Sequence, residues 1–379
     1  MKIALLIQRF PGGGAENYVE EIATRLHKKG EDVTVITSEN NSDDSKYDFK
    51  IIRLLSIIKI GEYNIWRGLE KILNREKFDI VHTNTYGYYH SDKAARLKKK
   101  LGYKLVMTSH GFTGMDLHKL KKEKIIDKTS RFDFLREIYD ENIGKKTLLL
   151  CDHLIALSQY DYNFYKKIGV NESKISIVPP GVSDIFFEKQ HYSKQNLEGD
   201  PILLSIGQLS WIKNQNMMIK TMSVILHNKP NAHLYLIGPD GGEEDNLQKQ
   251  SRELGLNEHI SFLGVRSSDE VRNYINSVDI LLQTSYAEGL STVLLESIVS
   301  QVPFITTDAG GNGYLVEGTN TGLIVNFNDY EKLAEYVLNL LNDEKLIPIL
   351  SNNGKQYSKM FSWNTVFPRI FQIYINLLN

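Results

Sequence analysis

Thr284-Ser285-Tyr286-Ala287-Glu288-Gly289-Leu290-Ser291-Thr292-Val293-Leu294-Leu295-Glu296 is the stretch from which the rest of the chain can be read. The run before it, Asp279-Ile280-Leu281-Leu282-Gln283-Thr284, is apolar and reads as a buried strand. Leu290 to Ser300 reads as a helix, with Ser291 and Thr292 as natural N-cap residues and Leu294, Leu295 and Ile298 on one apolar face. Glu288 therefore falls in the loop at the carboxyl end of a strand, where open α/β sheets bind ligands. Glu296 lies about a turn and a half into the helix, at roughly 1.5 Å per residue. Between the two carboxylates, the backbone N–H groups of the first helical turn are free to hold an anion. Such a cradle suits a ligand with a phosphate and hydroxyls on both sides of it, and a nucleotide sugar has that form.

Working outward, the chain has 379 residues, beyond the usual single-core limit, so two domains are expected. Hydrophobic residues at 41% and charged residues at 24% describe an ordinary globular protein. The net charge of −1 conceals a division: residues 1–183 carry 31 Lys and Arg against 24 Asp and Glu, and the remainder 14 against 22. A basic first half points to an anionic partner. The single cysteine, Cys151, excludes an intramolecular disulfide and fits a reducing, cytoplasmic setting. Met1-Lys2 leads into Ile3-Ala4-Leu5-Leu6-Ile7, which Gln8 and Arg9 end too early for a signal peptide. No apolar run approaches a membrane span, so any membrane contact is peripheral.

Ile3–Ile7 reads as a central parallel strand. It is followed by Pro11-Gly12-Gly13-Gly14-Ala15-Glu16 and a helix with Tyr18, Val19, Ile22, Ala23 and Leu26 on one face. Strand, glycine turn and helix bring backbone close to a phosphate or sugar. The spacing is not the dinucleotide Gly-x-Gly-x-x-Gly, which argues against a nicotinamide cofactor. Val33–Ile36, Ile51–Leu55, Asp79–Asn84, Lys104–His110 and Asp152–Ser158 continue a βαβ series. His110 ends its strand on the edge that carries the glycine loop, whereas His82 is mid-strand and reads as structural. Arg131–Leu150 reads as one long helical stretch. Pro179-Pro180-Gly181 and the polar tract Glu188–Asp200 mark the linker, giving domains at 1–183 and 184–361. Pro201–Gly207, His233–Gly238, Ile260–Val265 and Pro303–Thr307 are the further strands of a second series. Phe361-Ser362-Trp363 opens a last helix with Val366, Ile370, Ile373, Tyr374 and Leu377 on one face.

The order of these motifs resembles the Glu-x7-Glu class of retaining glycosyltransferases, family 4, over essentially the whole chain. The resemblance implies the GT-B fold: α/β, two doubly wound Rossmann-like domains facing across a cleft, with the 362–379 helix crossing back onto the amino-terminal domain. It implies a nucleotide diphosphate sugar as donor, linked to UDP or GDP, with no cofactor and no metal. No Asp-x-Asp occurs in the chain, in agreement. Glu288 would meet the hydroxyls of the transferred sugar and Glu296 the ribose. His110 would lie near the anomeric centre, and Gly13 and Gly14 beside the donor phosphates. Lys213 and the first-turn amides of Ser291, Thr292 and Val293 would hold the diphosphate, and the Gly264-Val265-Arg266 turn would read the base. Three positions depart from the family pattern: Gln208 stands where Arg is usual, Pro180 for Asn, and Tyr314 for Glu.

The acceptor implied is a glycan or a lipid-linked glycan. Two basic segments, one around Lys98, Lys99 and Lys100 and one around Lys121 and Lys122, are interleaved with apolar residues and suit anionic lipid headgroups at the inner membrane face. Nucleic acid is not expected, because no reader motif or stacking array accompanies the charge. A glycoside hydrolase is disfavoured, since its carboxyls must flank the scissile bond. An epimerase on the same fold, or a non-catalytic partner subunit with Gln208 as its mark, are the alternatives.

Overall fold

The computed structural model describes residues 1–38, 43–60, 63–127, 138–188 and 195–379. The chain divides into two compact units. The first contains Met1–Met115, Thr129–Gly181 and Asn364–Asn379, and the second Asp116–Lys128 and Val182–Trp363. The expected division places 116–128 in the amino-terminal domain, but its contacts group it with the second unit, where Asn328 Nδ2 donates to Ile125 O at 2.9 Å.

In the first unit a seven-stranded parallel sheet has the order β3-β2-β1-β6-β7-β8-β9. Its members are β1 (Lys2–Leu6), β2 (Asp32–Ser38), β3 (Lys50–Leu54), β6 (Ile80–Asn84), β7 (Lys104–Thr108), β8 (His153–Ala156) and β9 (Ile175–Ile177). β1 has apolar residues on both faces, and its Ile3 to Leu6 are all but fully buried, as a strand covered by helices on both sides requires. The helix Gly14–Lys28 buries Tyr18, Val19, Ile22, Ala23 and Leu26, the face expected from the spacing. The closing helix, Trp363–Leu378, contributes Val366, Ile370 and Tyr374, each fully buried. Burying such side chains contributes about 1.5–3 kcal/mol apiece. Tyr374 OH meets His82 Nδ1 at 2.6 Å and Thr108 Oγ1 meets its Nε2 at 2.9 Å, which accounts for a histidine in mid-strand.

Two features of this unit differ from the sequence reading. A two-stranded antiparallel hairpin, β4 (Ser56–Ile60) and β5 (Tyr63–Trp66), follows β3. Tyr63 anchors it by donating at 2.9 Å to the buried carboxylate of Asp92, which also accepts from Tyr139 OH and Thr147 Oγ1. The stretch read as one helix over Arg131–Leu150 is not continuous α-helix where it is described. Residues 131–137 lie outside the described residues, and the rest forms a π-turn, Asp140–Gly144, leading into a short helix, Lys145–Leu150. Tyr86 packs into the wider turn: its hydroxyl donates to Asp140 Oδ1 at 2.9 Å and occupies the space a Cβ at Gly144 would need.

The second unit carries a six-stranded parallel sheet ordered β12-β11-β10-β13-β14-β15. Its strands are β10 (Ile202–Ile206), β11 (His233–Ile237), β12 (Ile260–Gly264), β13 (Ile280–Gln283), β14 (Phe304–Thr307) and β15 (Gly322–Val325). Successive strand residues serve opposite faces: Leu203, Leu234 and Ile280 join one core, Leu204, Tyr235 and Leu281 the other. In this order the chain winds outward one way through β11 and β12 and the other way through β14 and β15. The reversal falls between β10 and β13, and a crevice opens beyond the strand ends at such a point. Among the described residues no helix is long and apolar enough to cross a membrane.

Candidate active site

The two loops that leave the reversal point carry Lys213 and Glu288. After β10 the chain makes a single 3-10 turn, Trp211–Lys213, ended by Asn214 in the left-handed region at φ 52°. After β13 it makes the loop 284–291 before the helix Thr292–Ser300. The loops are stitched together: Thr284 Oγ1 donates to Asn214 O at 2.8 Å, and Tyr286 N to Ile212 O at 2.8 Å. Lys213 Nζ thereby meets Glu288 Oε1 at 2.6 Å. The same oxygen accepts from Ser285 Oγ at 2.7 Å and Gln283 Nε2 at 2.8 Å. Three donors on one oxygen fix the carboxylate and leave Oε2 without a partner among the described residues.

The Glu288 loop is also held from below. Gly311 N donates to Gly289 O at 2.7 Å. Gly310, at φ +56°, lies so close that a Cβ there would stand 1.8 Å from Glu288 O. Only glycine meets both conditions.

The helix Thr292–Ser300 begins without a side-chain cap. Ser291 occupies the N-cap position expected from the sequence, but its hydroxyl does not cap. Asn312 Oδ1 instead accepts from Ser291 N at 3.2 Å. With no side-chain cap, the first-turn amides of Thr292 and Val293 have no acceptor among the described residues, the condition an anion site needs. Glu296 has no hydrogen-bond or ion-pair partner among the described residues, and burial pushes its carboxyl up to about 8. An uncompensated carboxyl of this kind gains most from a ligand that donates to it.

Gln208 is exposed, its amide against Gly241, where a Cβ would come within 2.9 Å of Gln208 Cδ. Val265 is 67% exposed after Gly264, which has φ +66°. Arg266 turns back to donate to Val265 O at 2.9 Å and lies 3.7 Å from Glu270. All these residues sit beyond the carboxyl ends of β10, β12 and β13.

Gly13, Gly14 and His110 belong to the first unit, again beyond strand ends. Gly13 is the N-cap of Gly14–Lys28 with extended backbone, and none of Gly12, Gly13 or Gly14 has a positive φ. Their value is bareness: Glu16 folds over Gly12 and Gly13 at 3.3–3.4 Å from where a Cβ would be. His110 has φ 54°, packs edge-on to Tyr18 with centroids 4.9 Å apart, and lies 3.4 Å from Asn84 Oδ1 through Nε2. Burial lowers its pKa to about 3, so the ring is neutral near pH 7 and offers a hydrogen bond but no charge.

Gln283, Ser285, Asn312, Gly310 and Asn84 were not among the candidates. Gln283 left a signal, being a polar residue closing an otherwise apolar strand, and it is 3% exposed.

Two family models match, in succession, nearly the whole chain. "Glycosyltransferase Family 4" covers residues 12–184 and "Glycosyl transferases group 1" covers 186–357. A Campylobacter jejuni protein described as an α-1,4-N-acetyl-D-galactosaminyltransferase acting on a diNAcBac-PP-undecaprenol-linked GalNAc disaccharide is 26% identical, over 95% of this chain and 94% of its own. Among solved structures, sucrose-phosphate synthase from Thermosynechococcus elongatus aligns with a TM-score of 0.79 at 20% identity, covering 99% of this chain and 98% of that one. HepE from Anabaena, solved with UDP and glucose, aligns at 0.76 and 20% identity, covering 98% and 99%. At such identities the two structures speak for the fold.

Proposed function

The chain belongs to the family 4, group 1 glycosyltransferases, and from that premise we propose that it transfers a sugar from a UDP- or GDP-linked donor to a hydroxyl of a glycan or lipid-linked acceptor, with retention at the anomeric carbon and without a metal. The observation that carries this reading is the Lys213–Glu288 pair at the reversal point of the second sheet, beside an uncapped helix N-terminus and the unpartnered Glu296.

In the reaction the bond from the anomeric carbon to the diphosphate oxygen breaks and a bond to the acceptor oxygen forms. The acceptor proton leaves with the phosphate. Negative charge builds on the departing β-phosphate, where Lys213 and the amides of Thr292 and Val293 would lower its energy. Glu288 Oε2 would hold sugar hydroxyls and set the anomeric carbon in line. Glu296 would accept from the ribose hydroxyls. Val265 and Arg266 would border the base. Gly13 and Gly14 would let the phosphates approach backbone, and neutral His110 would donate a hydrogen bond near the anomeric centre. The names of the C. jejuni and Anabaena relatives, a polyprenyl-linked acceptor and bound UDP, favour this class of substrates.

The proposal includes a cytoplasmic location with peripheral contact to anionic lipid through the basic segments. Part of that charge is already answered internally: Lys98 pairs with Asp152 at 2.7 Å, and Lys93 and Lys100 share Glu70. Co-sedimentation with anionic vesicles at low and high salt tests this contact.

Gln208 favours one competing reading, a family member that binds but does not turn over. Incubation with labelled UDP- and GDP-sugars, with and without a polyprenyl-linked acceptor, decides. Acceptor-dependent product supports transfer, and nucleotide binding without product overturns it.

A further inference from the structure

The second unit has another concavity, a cleft of about 410 Å³ on the far side of the Trp211–Asn214 turn. That is within the range of about 300–1,000 Å³ typical of small-molecule sites. It contains neither Lys213 nor Glu288 nor Glu296. Its floor is the start of the helix Gln215–Ile225, and one wall is the segment 125–127 of the same unit.

Aromatic faces line it. Trp211 and Tyr286 have centroids 6.3 Å apart, and Tyr330 also borders the cleft, with Lys220 Nζ 5.9 Å from its ring centroid. Tyr286 is fixed by its hydroxyl, which donates to Asn328 Oδ1 at 2.5 Å, while Asn328 Nδ2 holds the Ile125 carbonyl.

The polar lining is unusual in kind. Beside Asn328, the side chains of Gln215, Asn246 and Gln250 are uncharged amides, each both donor and acceptor. Gln215 is 3% exposed, and its Nε2 donates to Gln208 O at 2.9 Å while its Oε1 has no partner. Gln250 repeats the pattern, with Nε2 directed at Asn216 O at 3.4 Å and Oε1 without a partner. Two buried amide oxygens without a donor among the described residues, both on side chains that border one cleft, point to a ligand rich in hydroxyl groups. The charges present are Asp127 and Glu243 against Lys220, which disfavours an anion such as a nucleotide or phospholipid headgroup.

We propose that this cleft is a second carbohydrate site that takes a stretch of neutral glycan, its sugar faces on Trp211, Tyr286 and Tyr330 and its hydroxyls on Gln215 and Gln250. The site lies back to back with the donor residues: Trp211 is two positions before Lys213 and Tyr286 two before Glu288. It serves to hold a glycan chain on the enzyme away from the reacting end. The inference goes beyond the transfer reading and is tested without turnover.

Tryptophan emission reports the site directly. Of the three tryptophans, Trp66 and Trp363 are 1% exposed and Trp211 alone lines the cleft. The full-length protein is titrated with maltohexaose, chitohexaose and mannohexaose, with a hyaluronan hexasaccharide as the anionic control. The expected result is a saturable change with at least one neutral hexasaccharide, Kd on the order of 1 mM or tighter. It should persist under saturating UDP. Asn246→Arg, which fills the cleft from its rim, should weaken binding at least about tenfold. Gln250→Leu keeps the shape, removes the unpartnered carbonyl and should weaken it about threefold or more. UDP affinity measured alongside controls for folding. No response to any neutral hexasaccharide, equal response in both variants, or displacement by UDP would overturn the proposal.

Discussion

Lys213 Nζ stands 2.6 Å from Glu288 Oε1, so each of the two loops at the reversal of the second sheet supplies the other's counterion. The pair is partly exposed, at 28% and 11%, and its energy is moderated by solvent. Lys213→Ala should lower transfer at least about tenfold, since charge-assisted hydrogen bonds contribute roughly 1.5–3 kcal/mol. Glu288→Gln should abolish transfer while keeping nucleoside diphosphate affinity, because the amide can still accept from Ser285 and Gln283 through Oε1. The double variant should be less destabilised than the sum of the singles in denaturant titrations. Strict additivity would show that the two side chains do not act as a pair.

Glu296 makes nucleotide binding depend on pH. Its raised pKa, about 8 against an ordinary value of 4.5, favours a proton on this half-buried carboxyl in the folded, ligand-free protein at neutral pH. Ribose hydroxyls donating to the ionised form lower that pKa, so binding releases a proton and tightens as pH rises toward 8. Calorimetry in buffers of different ionisation enthalpy should show the release for UDP or GDP. Glu296→Gln should remove it, and a wild-type proton count of zero at pH 7 would refute the contact. The same carboxyl should make the protein less stable as pH rises from about 4.5 to 8, because the unfolded chain loses its proton first.

Gly310→Ala tests the seating of the Glu288 loop. With a Cβ 1.8 Å from Glu288 O and φ at +56°, the loop must move. A cost on the order of 1–3 kcal/mol in stability is expected, together with loss of transfer. Gly318→Ala is the matched control, since nothing lies within 4 Å of its Cβ position and its φ is not positive. It should be neutral or stabilise by about 0.4–1 kcal/mol. Equal melting temperatures for both variants would remove the argument.

Gln208→Arg should tighten nucleoside diphosphate binding if the position faces the diphosphate, because a guanidinium adds a bidentate charged contact. An unchanged Kd would place the diphosphate elsewhere, with Gln208 left to pack on Gly241.

Neutral His110 leads to a kinetic expectation. With its pKa lowered to about 3, it should contribute no inflection to the pH profile of kcat/KM between pH 5 and 8. An inflection near 6.5 that vanishes in His110→Gln would contradict that reading.

Most strands of the two sheets are legible because strands covered on both faces are continuous apolar runs. The edge strand Gly322–Val325, four residues with only its ends fully buried, escapes that reading. Less legible were features made by distant residues. The β4–β5 hairpin was hidden because Ile51 to Ile60 is nearly one apolar stretch, with Leu55, Ile57 and Ile58 half-exposed rather than in a core. The π-turn at Asp140–Gly144 packs on Tyr86, over fifty positions away. At the site, Lys213 and Glu288 were named from local patterns, yet no spacing reveals that they meet. Nor does it reveal that Asn312 takes the Ser291 amide while the Ser291 hydroxyl leaves the helix uncapped, since that depends on how β14 delivers its following loop.

The stitching of Thr284 and Tyr286 to the backbone of Ile212 and Asn214 has a consequence for protein engineering. A chimera that imports either segment alone from a relative keeps the Lys213–Glu288 contact only if its backbone path preserves the Tyr286–Ile212 bond and position 284 retains a hydroxyl. Residues 208–214 and 284–291 therefore form one exchangeable cassette written in two places. Val265 and Arg266, held by Gly264 and by each other, can be swapped independently, which makes that rim the natural place for donor preference to drift while the chemistry stays fixed.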